Sequence, residues 1–588
     1  MYLRGRKILP FTLTLFMSSV IVYSVMSWQP WIFILAITCY LLFLIYLILR
    51  RISLGLIIFG IMFICLWLRL FPYLESLPLG VDPIRDVIFA YAVSRHGHFH
   101  NVYVPRFVDY YQYFPSTQII PLINSMVSGL EITLSHYLTL SFILSLSTIS
   151  ILLITRSYKR IGELAFFAAI FYATIPTILV WNYWVIPMAL AITFMCYSLL
   201  TFISFLDIRK TIHLVLSLLF SVLTIMTHAG VGIILLGFYV ITLIVYVIRI
   251  QVSRYSIKPI VLYNIVLHAY TFIYWQLTGF LNKYLLRYIS YSYNNFIEAL
   301  NDILQFKIRP STPSLITTPS IKFPSKPVEP GFTFKVVDCL PTIYPGYYLL
   351  PRWIWSSLLI LLPLLLFIIC KLKNTSINDN KFALSLNIYS IALSLLIPIA
   401  LSLRLIWKAE RYLASPATIF IIITIVALSS LILKSNTKLK LKAIISSLLI
   451  LLAISSIFDP RVAYYVNPIE GDRVTFKLSE RAAADYLLTN AESGNIITDY
   501  NLMTMYIYYL IMVKNKSNIK ILFGRVDRLL NDKTMYSSNW IFLFRTYSAK
   551  SYYIWNLNYK YNPQIINKAL YYGNIVYTNR HAFIALKS

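Results

Sequence analysis

Charged side chains are the first thing this sequence lacks. Only 12% of its 588 residues are Asp, Glu, Lys or Arg, about half of the roughly 25% carried by a soluble domain. A chain this poor in charge and 59% hydrophobic is not a water-soluble globular protein. Acids are scarcer than bases: 22 Asp and Glu stand against 51 Lys and Arg, a formal net charge of +29. Such an excess can mark nucleic-acid binding. Here much of it lies in short loops between apolar runs, where it orients a membrane protein instead, so nucleic acid is not an expected partner. Cysteine is also sparse, at five residues. Cys39, Cys65, Cys196 and Cys370 lie in or at the ends of apolar runs and only Cys339 lies in a long loop, which leaves no extracellular pair for a disulfide.

Several motifs are missing as well. There is no Walker A loop, no Rossmann glycine fingerprint, no HExxH and no GxSxG. Asp-x-Asp, the usual metal–nucleotide-sugar signature, is also absent, so a nucleotide-bearing donor has no support. Few apolar runs contain acids, which argues against proton-coupled transport.

What is present is a series of apolar runs of around 20 residues, long enough to span a bilayer as helices. The pattern predicts a polytopic α-helical membrane protein with about thirteen transmembrane helices. They fall near 8–27, 30–49, 53–71, 136–155, 162–180, 184–206, 211–228, 231–248, 259–280, 352–370, 383–403, 414–433 and 443–457. The first run, preceded by Arg4, Arg6 and Lys7, lacks a convincing small-residue cleavage site and reads as a retained helix. With the N-terminus cytoplasmic, the inner loops carry Arg50/Arg51, Arg156/Lys159/Arg160, Arg209/Lys210, Arg249/Arg254/Lys258, Lys371/Lys373 and Lys434/Lys438/Lys440/Lys442. The outer turns near 28–30, 181–183 and 229–230 carry none, as the positive-inside rule requires. The exception is the outer turn 404–411, with Arg404, Lys408 and Arg411. The segment 117–133 is apolar enough to span, but counting it would invert every later loop. It is therefore expected to lie in the outer interface or to re-enter the membrane.

Two parts follow: a transmembrane domain, 1–457, with large outer loops at 72–135 and 281–351, and an extracytoplasmic tail, 458–588. The tail reads as α/β. Ser479–Asn490 is an amphipathic helix. Asn495–Thr498, Ile519–Phe523 and Ile541–Phe544 read as strands, and Asn574–Tyr577 with Ala582–Leu586 as a closing hairpin. The apolar stretch 502–513 is too short to span.

The candidate chemistry starts at Gly80-Val-Asp82-Pro-Ile-Arg-Asp86, in the first outer loop. Asp82 and Asp86 are four apart and share a face if helical, and Pro83 suits a first turn. Asp82 can be a helix cap and Asp86 a partner of Arg85. Alternatively, carboxylates held at the edge of the bilayer serve as a general base or metal ligand. Asp109, Tyr110 and Tyr111 continue a polar, aromatic segment suited to a sugar surface. His96 and His98, with His100, have strand-like alternate spacing that could hold a metal, although such a loop is more often solvated surface. Arg404, Lys408 and Arg411 fall on one helical face and could clamp a phosphate or snorkel to lipid headgroups. Arg352, at the outer start of a span, is a weaker phosphate contact. His228, at an outer span end, is either an interfacial histidine or a site residue. Asn515-Lys-Ser517 is an outward N-glycosylation sequon, whereas Asn374-Thr-Ser376 faces inward.

These features resemble the GT-C superfamily of membrane glycosyltransferases, which use polyprenyl-phosphate-linked sugars. The likeness rests on the acidic motif at 80–86, the aromatic-proline run Tyr110-Tyr-Gln-Tyr-Phe-Pro115 before an interfacial helix, the late Glu410-Arg411-Tyr412-Leu turn, and the extracytoplasmic tail. It looks closest to archaeal members, including catalytic subunits of oligosaccharyltransferases. Their Trp-Trp-Asp acceptor motif is missing here, which argues against a peptide-sequon acceptor. The resemblance implies inverting transfer of the sugar to a hydroxyl of a saccharide, lipid or protein acceptor. Asp82 would be base or metal ligand, Asp86 its helper, and Arg411 with Arg404 would hold the lipid phosphate. Mg or Mn is the divalent metal such a site would take. The rival expectations are an envelope polysaccharide polymerase or ligase with the same donor, a lipid-linked-sugar transporter or flippase, for which Asn264 and His268 are the midplane polar residues, and a scaffold without chemistry.

Overall fold

In a computed structural model the apolar runs fold into helices, because a bilayer offers backbone N–H and C=O groups no water and a helix bonds them internally. The structure describes mainly residues 30–50, 54–75, 81–97, 114–157, 163–175, 186–248, 257–286, 361–370, 381–402, 415–432, 438–457, 478–491, 494–498, 502–516 and short strands beyond. The principal helices of the bundle and of the loop 72–135 are α1 (Pro30–Leu49), α2 (Leu54–Glu75), α3 (Val81–His96), α4 (Ser116–Ser128), α5 (Ile132–Ser157), α6 (Glu163–Thr174), α7 (Pro187–Ile208), α8 (Thr211–Thr227), α9 (Ala229–Ile248) and α10 (Lys258–Leu277). Further along are α11 (Lys381–Ser402), α12 (Ser415–Ile432) and α13 (Lys438–Ile457), and in the tail α14 (Leu478–Asn490) and α15 (Leu502–Lys514).

Among the described residues α5, α7, α9 and α10 are long and apolar enough to cross a membrane, and eight shorter apolar helical stretches accompany them. The chain is thus a multi-pass helical membrane protein. The expected first span, 8–27, lies almost wholly outside the described residues. One apolar core runs through the bundle from Ala36 to Ala453. Inside it four helices share a hydroxyl cluster. Ser198 on α7 lies 2.6 Å from both Ser221 on α8 and Tyr239 on α9, and Tyr263 on α10 lies 2.8 Å from Ser221 and 3.0 Å from Ser217.

The ambiguous segment 117–133 divides into a short helix and the start of a long one. Helix α4 has 13 residues, about 20 Å against the roughly 30 Å of a hydrocarbon core. Gly129 ends it at φ +73°, a left-handed conformation that favours glycine, and the chain turns back into α5. Asn124 donates to Ser135 Oγ (3.0 Å) and Thr139 Oγ1 (2.8 Å), fastening α4 to α5. The far end of α4 bares Ile123 (55%), Met126 (77%) and Val127 (83%). An apolar, uncharged helix tip of this kind suits a lipid interface.

In the tail, strands β2 (Gly494–Thr498), β3 (Ile519–Ile521), β4 (Trp540–Arg545), β7 (Gly573–Thr578) and β8 (Ala582–Lys587) form one sheet in the order β3-β2-β4-β8-β7. Its β3-β2-β4 part is parallel and its β4-β8-β7 part antiparallel. A second, antiparallel sheet takes β1 (Val336–Val337) from the loop 281–351 and pairs it with β6 (Leu557–Tyr559), which pairs in turn with β5 (Tyr552–Ile554).

Helix α3 joins these parts. Ile84, Val87, Ile88, Phe89 and Ala92 pack into a core with Ala483, Ala484, Leu487 and Leu488 of α14, Ile496 of β2, Tyr506, Ile507 and Leu510 of α15, and Ile519 of β3. Ala90 packs with Leu122 of α4 and Ile132 of α5. The acid-bearing helix is therefore sandwiched between the α4–α5 hairpin and the tail.

Candidate functional site

Helix α3 begins where Gly80-Val-Asp82-Pro83 predicts a first turn and ends at Gly97. That glycine has φ +72° and its N–H bonds Val93 O at 2.8 Å. Asp82 lies inside the first turn, and Asp86 follows one turn later. The Asp82 side chain is outside the described residues.

Asp86 is fully buried, as is Arg85. Arg85 donates to Asp86 Oδ1 through Nε (3.1 Å) and Nη2 (2.9 Å), and Gln118 Nε2 of α4 donates to the same oxygen at 2.9 Å. A buried carboxylate persists when it is paired and hydrogen-bonded, and the Asp86 set meets that condition. It fastens α3 to the first turn of α4. The same layer contains the fully buried His136 of α5. Its ring lies within electrostatic reach of Arg85.

His228 belongs to this end of the bundle. It separates α8 from α9, and its Nδ1 accepts the Val231 N–H at 3.3 Å, capping α9. Its neighbour Thr227 donates to Ser116 Oγ at 3.0 Å, two residues before Gln118. The structure thus gathers His228, the start of α4 and the Arg85–Asp86 pair at one end. His96 is exposed in the last turn of α3. Arg352, Arg404, Lys408 and Arg411, like His98, Asp109, Tyr110 and Tyr111, lie outside the described residues. Among the described residues no group of three or more His, Cys, Asp or Glu could hold a metal ion. Asn264 donates to Ile260 O at 2.9 Å and the His268 ring meets Asn264 O at 2.8 Å, so each bonds a carbonyl one turn back in its own helix.

Two features escaped sequence reasoning. One is Arg69, fully buried in α2, whose Nη1 meets Cys65 O at 2.8 Å and Cys65 Sγ at 2.6 Å. Cys65 Sγ in turn lies 2.8 Å from Thr148 Oγ1 of α5. An arginine within an apolar run is itself the signal that could have found it. The other is Glu131, just before α5. Its Oε2 accepts the Leu134 N–H at 2.9 Å, and its Oε1 accepts from Thr133 Oγ1 at 2.5 Å and from Tyr91 OH. Thr133 Oγ1 lies 2.8 Å from Tyr509 OH of the tail. Partial burial pushes the Glu131 carboxyl up. The bonds from Thr133, Tyr91 and the backbone outweigh it and hold the group below the usual carboxylate value. Burial first, and the neighbouring carboxylate second among the charges and bonds raising it, pushes the Tyr91 phenol up. Burial raises Tyr509 likewise.

No protein-family model matches the chain, and no curated protein matches it. Solved structures give distant similarities. ArnT from Cupriavidus metallidurans in the apo state is 12% identical at TM-score 0.46, with 90% of this chain and 96% of that one covered. The same protein bound to undecaprenyl phosphate is 11% identical at TM-score 0.45, with the same coverage. The arabinofuranosyltransferase AftD from Mycobacteria is 10% identical at TM-score 0.46, covering 90% of this chain and 39% of that one.

Proposed function

We propose that the protein is an inverting glycosyltransferase of the GT-C type, moving a sugar from a polyprenyl-phosphate-linked donor to an acceptor hydroxyl at the outer face of the membrane. The observation that carries this reading is the setting of α3. A helix bearing two aspartates is held at one end of a membrane bundle, between a short apolar hairpin and the tail. A donor whose lipid stays in the bilayer presents its phosphate and sugar at such an edge. In this reading the N-terminus is cytoplasmic, and residues 458–588 form an extracytoplasmic α/β domain.

The chemistry follows from the roles. Asp82 takes the proton of the acceptor hydroxyl. The freed oxygen bonds the anomeric carbon from the face opposite the phosphate. The carbon–oxygen bond to the lipid phosphate breaks, and its electron pair leaves with the phosphate. Arg411 with Arg404, Lys408 and Arg352 hold that leaving charge through charge-assisted hydrogen bonds. Asp86 supports the site by fastening α3 to α4. A divalent metal on Asp82 would add a Lewis acid there, and no step depends on it.

The test is sugar transfer by purified protein from a panel of polyprenyl-phosphate-linked donors. Asp82→Asn is expected to lower the rate by about 10²–10⁴-fold, the usual contribution of a general base. Full transfer by that variant would remove Asp82 from the mechanism. A transporter reading would draw on midplane polar groups; Asn264 Nδ2 and His268 Nδ1 are engaged within their own helix, while Asn264 Oδ1 is buried with no hydrogen-bond partner among the described residues.

A further inference from the structure

We infer that Glu131 is the hub of a hydrogen-bond relay that locks the tail onto the acid-bearing helix, and that Glu131, Thr133 and Tyr509 are positioning residues for α3. The inference rests on the proposed transfer reading only in what α3 is positioned for; the lock itself stands on geometry.

Hydrogen counting gives the relay a direction. Glu131 Oε1 is an acceptor. Thr133 has one hydroxyl hydrogen and places it on that oxygen at 2.5 Å, so across the 2.8 Å contact Tyr509 must be the donor to Thr133. Tyr91 OH donates to the same carboxylate oxygen from α3. The relay therefore runs from the tail (Tyr509) through Thr133 to Glu131 and meets α3 (Tyr91) there. The rings of Tyr91 and Tyr509 also pack edge to face, with centroids 6.3 Å apart. One carboxylate thereby joins three elements that sequence keeps far apart. It also receives the Leu134 N–H, at the N-terminus of α5, where negative charge is favoured. Farther along the same contact, Arg95 of α3 donates to Asn515 Oδ1 at 3.2 Å.

Both Glu131 oxygens accept, Oε1 from Thr133 and Tyr91 and Oε2 from the Leu134 N–H, so a proton on either one displaces a donor and the lock is acid-sensitive. The titratable or charged groups around it are Tyr91 on α3, Tyr509 and Tyr506 on α15, and Arg481 of α14 behind Tyr509. Both relay phenols sit above their ordinary value, so Glu131 is the relay member that titrates on acidification. Its folded value is depressed. The lock is therefore complete above the ordinary carboxylate range and is lost as pH falls through the lower, folded value.

The test is hydrogen exchange on the full-length protein in detergent, read separately at 502–514 and at 81–96. Tyr509→Phe removes one bond of the relay and is expected to speed exchange about fivefold in both segments, the equivalent of one net hydrogen bond; Thr133→Val removes two, to Glu131 and from Tyr509, and is expected to speed it further. Glu131→Gln is expected to abolish the acid-induced step in native exchange. Glu131→Asp keeps a carboxylate at the start of α5 with a shorter reach, and is expected to loosen both segments while leaving exchange in α5 unchanged. Native-like exchange in Tyr509→Phe and Thr133→Val would overturn the lock. Faster exchange at 502–514 with 81–96 unchanged would overturn the positioning role. Where the native protein transfers sugar, Tyr509→Phe should lower kcat and leave the donor KM unchanged, and an unchanged kcat would count against positioning. Failure of the native protein to transfer from any donor overturns the proposed reaction, while the exchange arms decide the lock independently.

Discussion

At the scale of single residues, two aspartates four apart have opposite expectations. Asp86 is buried against Arg85 and Gln118, so its removal breaks a buried ion pair. Removing one partner of a buried ion pair typically destabilises by about 3–5 kcal/mol. Asp86→Ala should therefore lower the unfolding temperature and yield markedly, as read by fluorescence-based thermal unfolding in detergent. The double variant Arg85→Met/Asp86→Leu should recover much of that loss, because an apolar pair in the same volume leaves no uncompensated charge. Asp82→Asn, by contrast, should leave the unfolding temperature near native and act on transfer. A large thermal loss in Asp82→Asn would turn that residue from chemistry to structure. The acidic stretch was legible because acids are rare in this chain. Glu131 was an equally rare acid and Arg69 a cation inside an apolar run, but Glu131 resembles a helix-start carboxylate and Arg69 a residue at a span end. Nothing local announces the partners that give them meaning. Thr133 and Tyr509 meet across 376 residues, and one sequence carries no record of such a pairing.

At the scale of elements, the turns around the site are set by two glycines. Gly97 and Gly129 have φ near +72° and +73°, and a Cβ added at either would meet nothing within 4 Å. Their substitution therefore tests backbone strain without a clash. Gly97→Ala and Gly129→Ala should each destabilise by about 1–2 kcal/mol, the penalty of a left-handed conformation for an L-residue, visible as a lowered unfolding temperature. Wild-type stability in Gly129→Ala would mean that the α4–α5 corner relaxes. The interior hydroxyl cluster makes a second element-scale case. Tyr263→Phe removes the hydroxyl that bridges Ser217 and Ser221 from α10 to α8. Interhelical bonds in membranes average about 0.6 kcal/mol, so the loss should be small. Helix positions were readable because a bilayer turns hydrophobic length directly into helix. The shortness of α4 was readable only through the charge of later loops. The order β3-β2-β4-β8-β7 was not readable, since strand pairing between distant segments leaves no periodic trace.

At the scale of the whole molecule, the protein has two apolar cores that share one helix. Residues Ile84, Val87, Ile88 and Ala92 bury one side of α3 in the tail, while Ala90 joins the bundle side through Leu122 and Ile132. Helix α3 and the tail are therefore not independent modules. Hydropathy divides the chain at about residue 457, where the last apolar run ends, yet packing assigns α3 to both sides of that division. Ile88 probes this arrangement because it is fully buried in the tail-facing core. Ile88→Ala should destabilise the contact by about 2–5 kcal/mol, the range for deleting a buried Ile or Leu side chain to alanine. Ile88→Lys, which forces a charge into the same core, should release the tail outright. The measurement is limited proteolysis of the full-length protein in detergent, scored for cuts within 478–514 and, separately, within α5 and α7. Cuts in the tail segment with the bundle helices intact would show that the tail depends on α3 while the bundle stands without it. Simultaneous loss of both would mean that the two cores unfold as one, and that α3 is part of the bundle's own foundation.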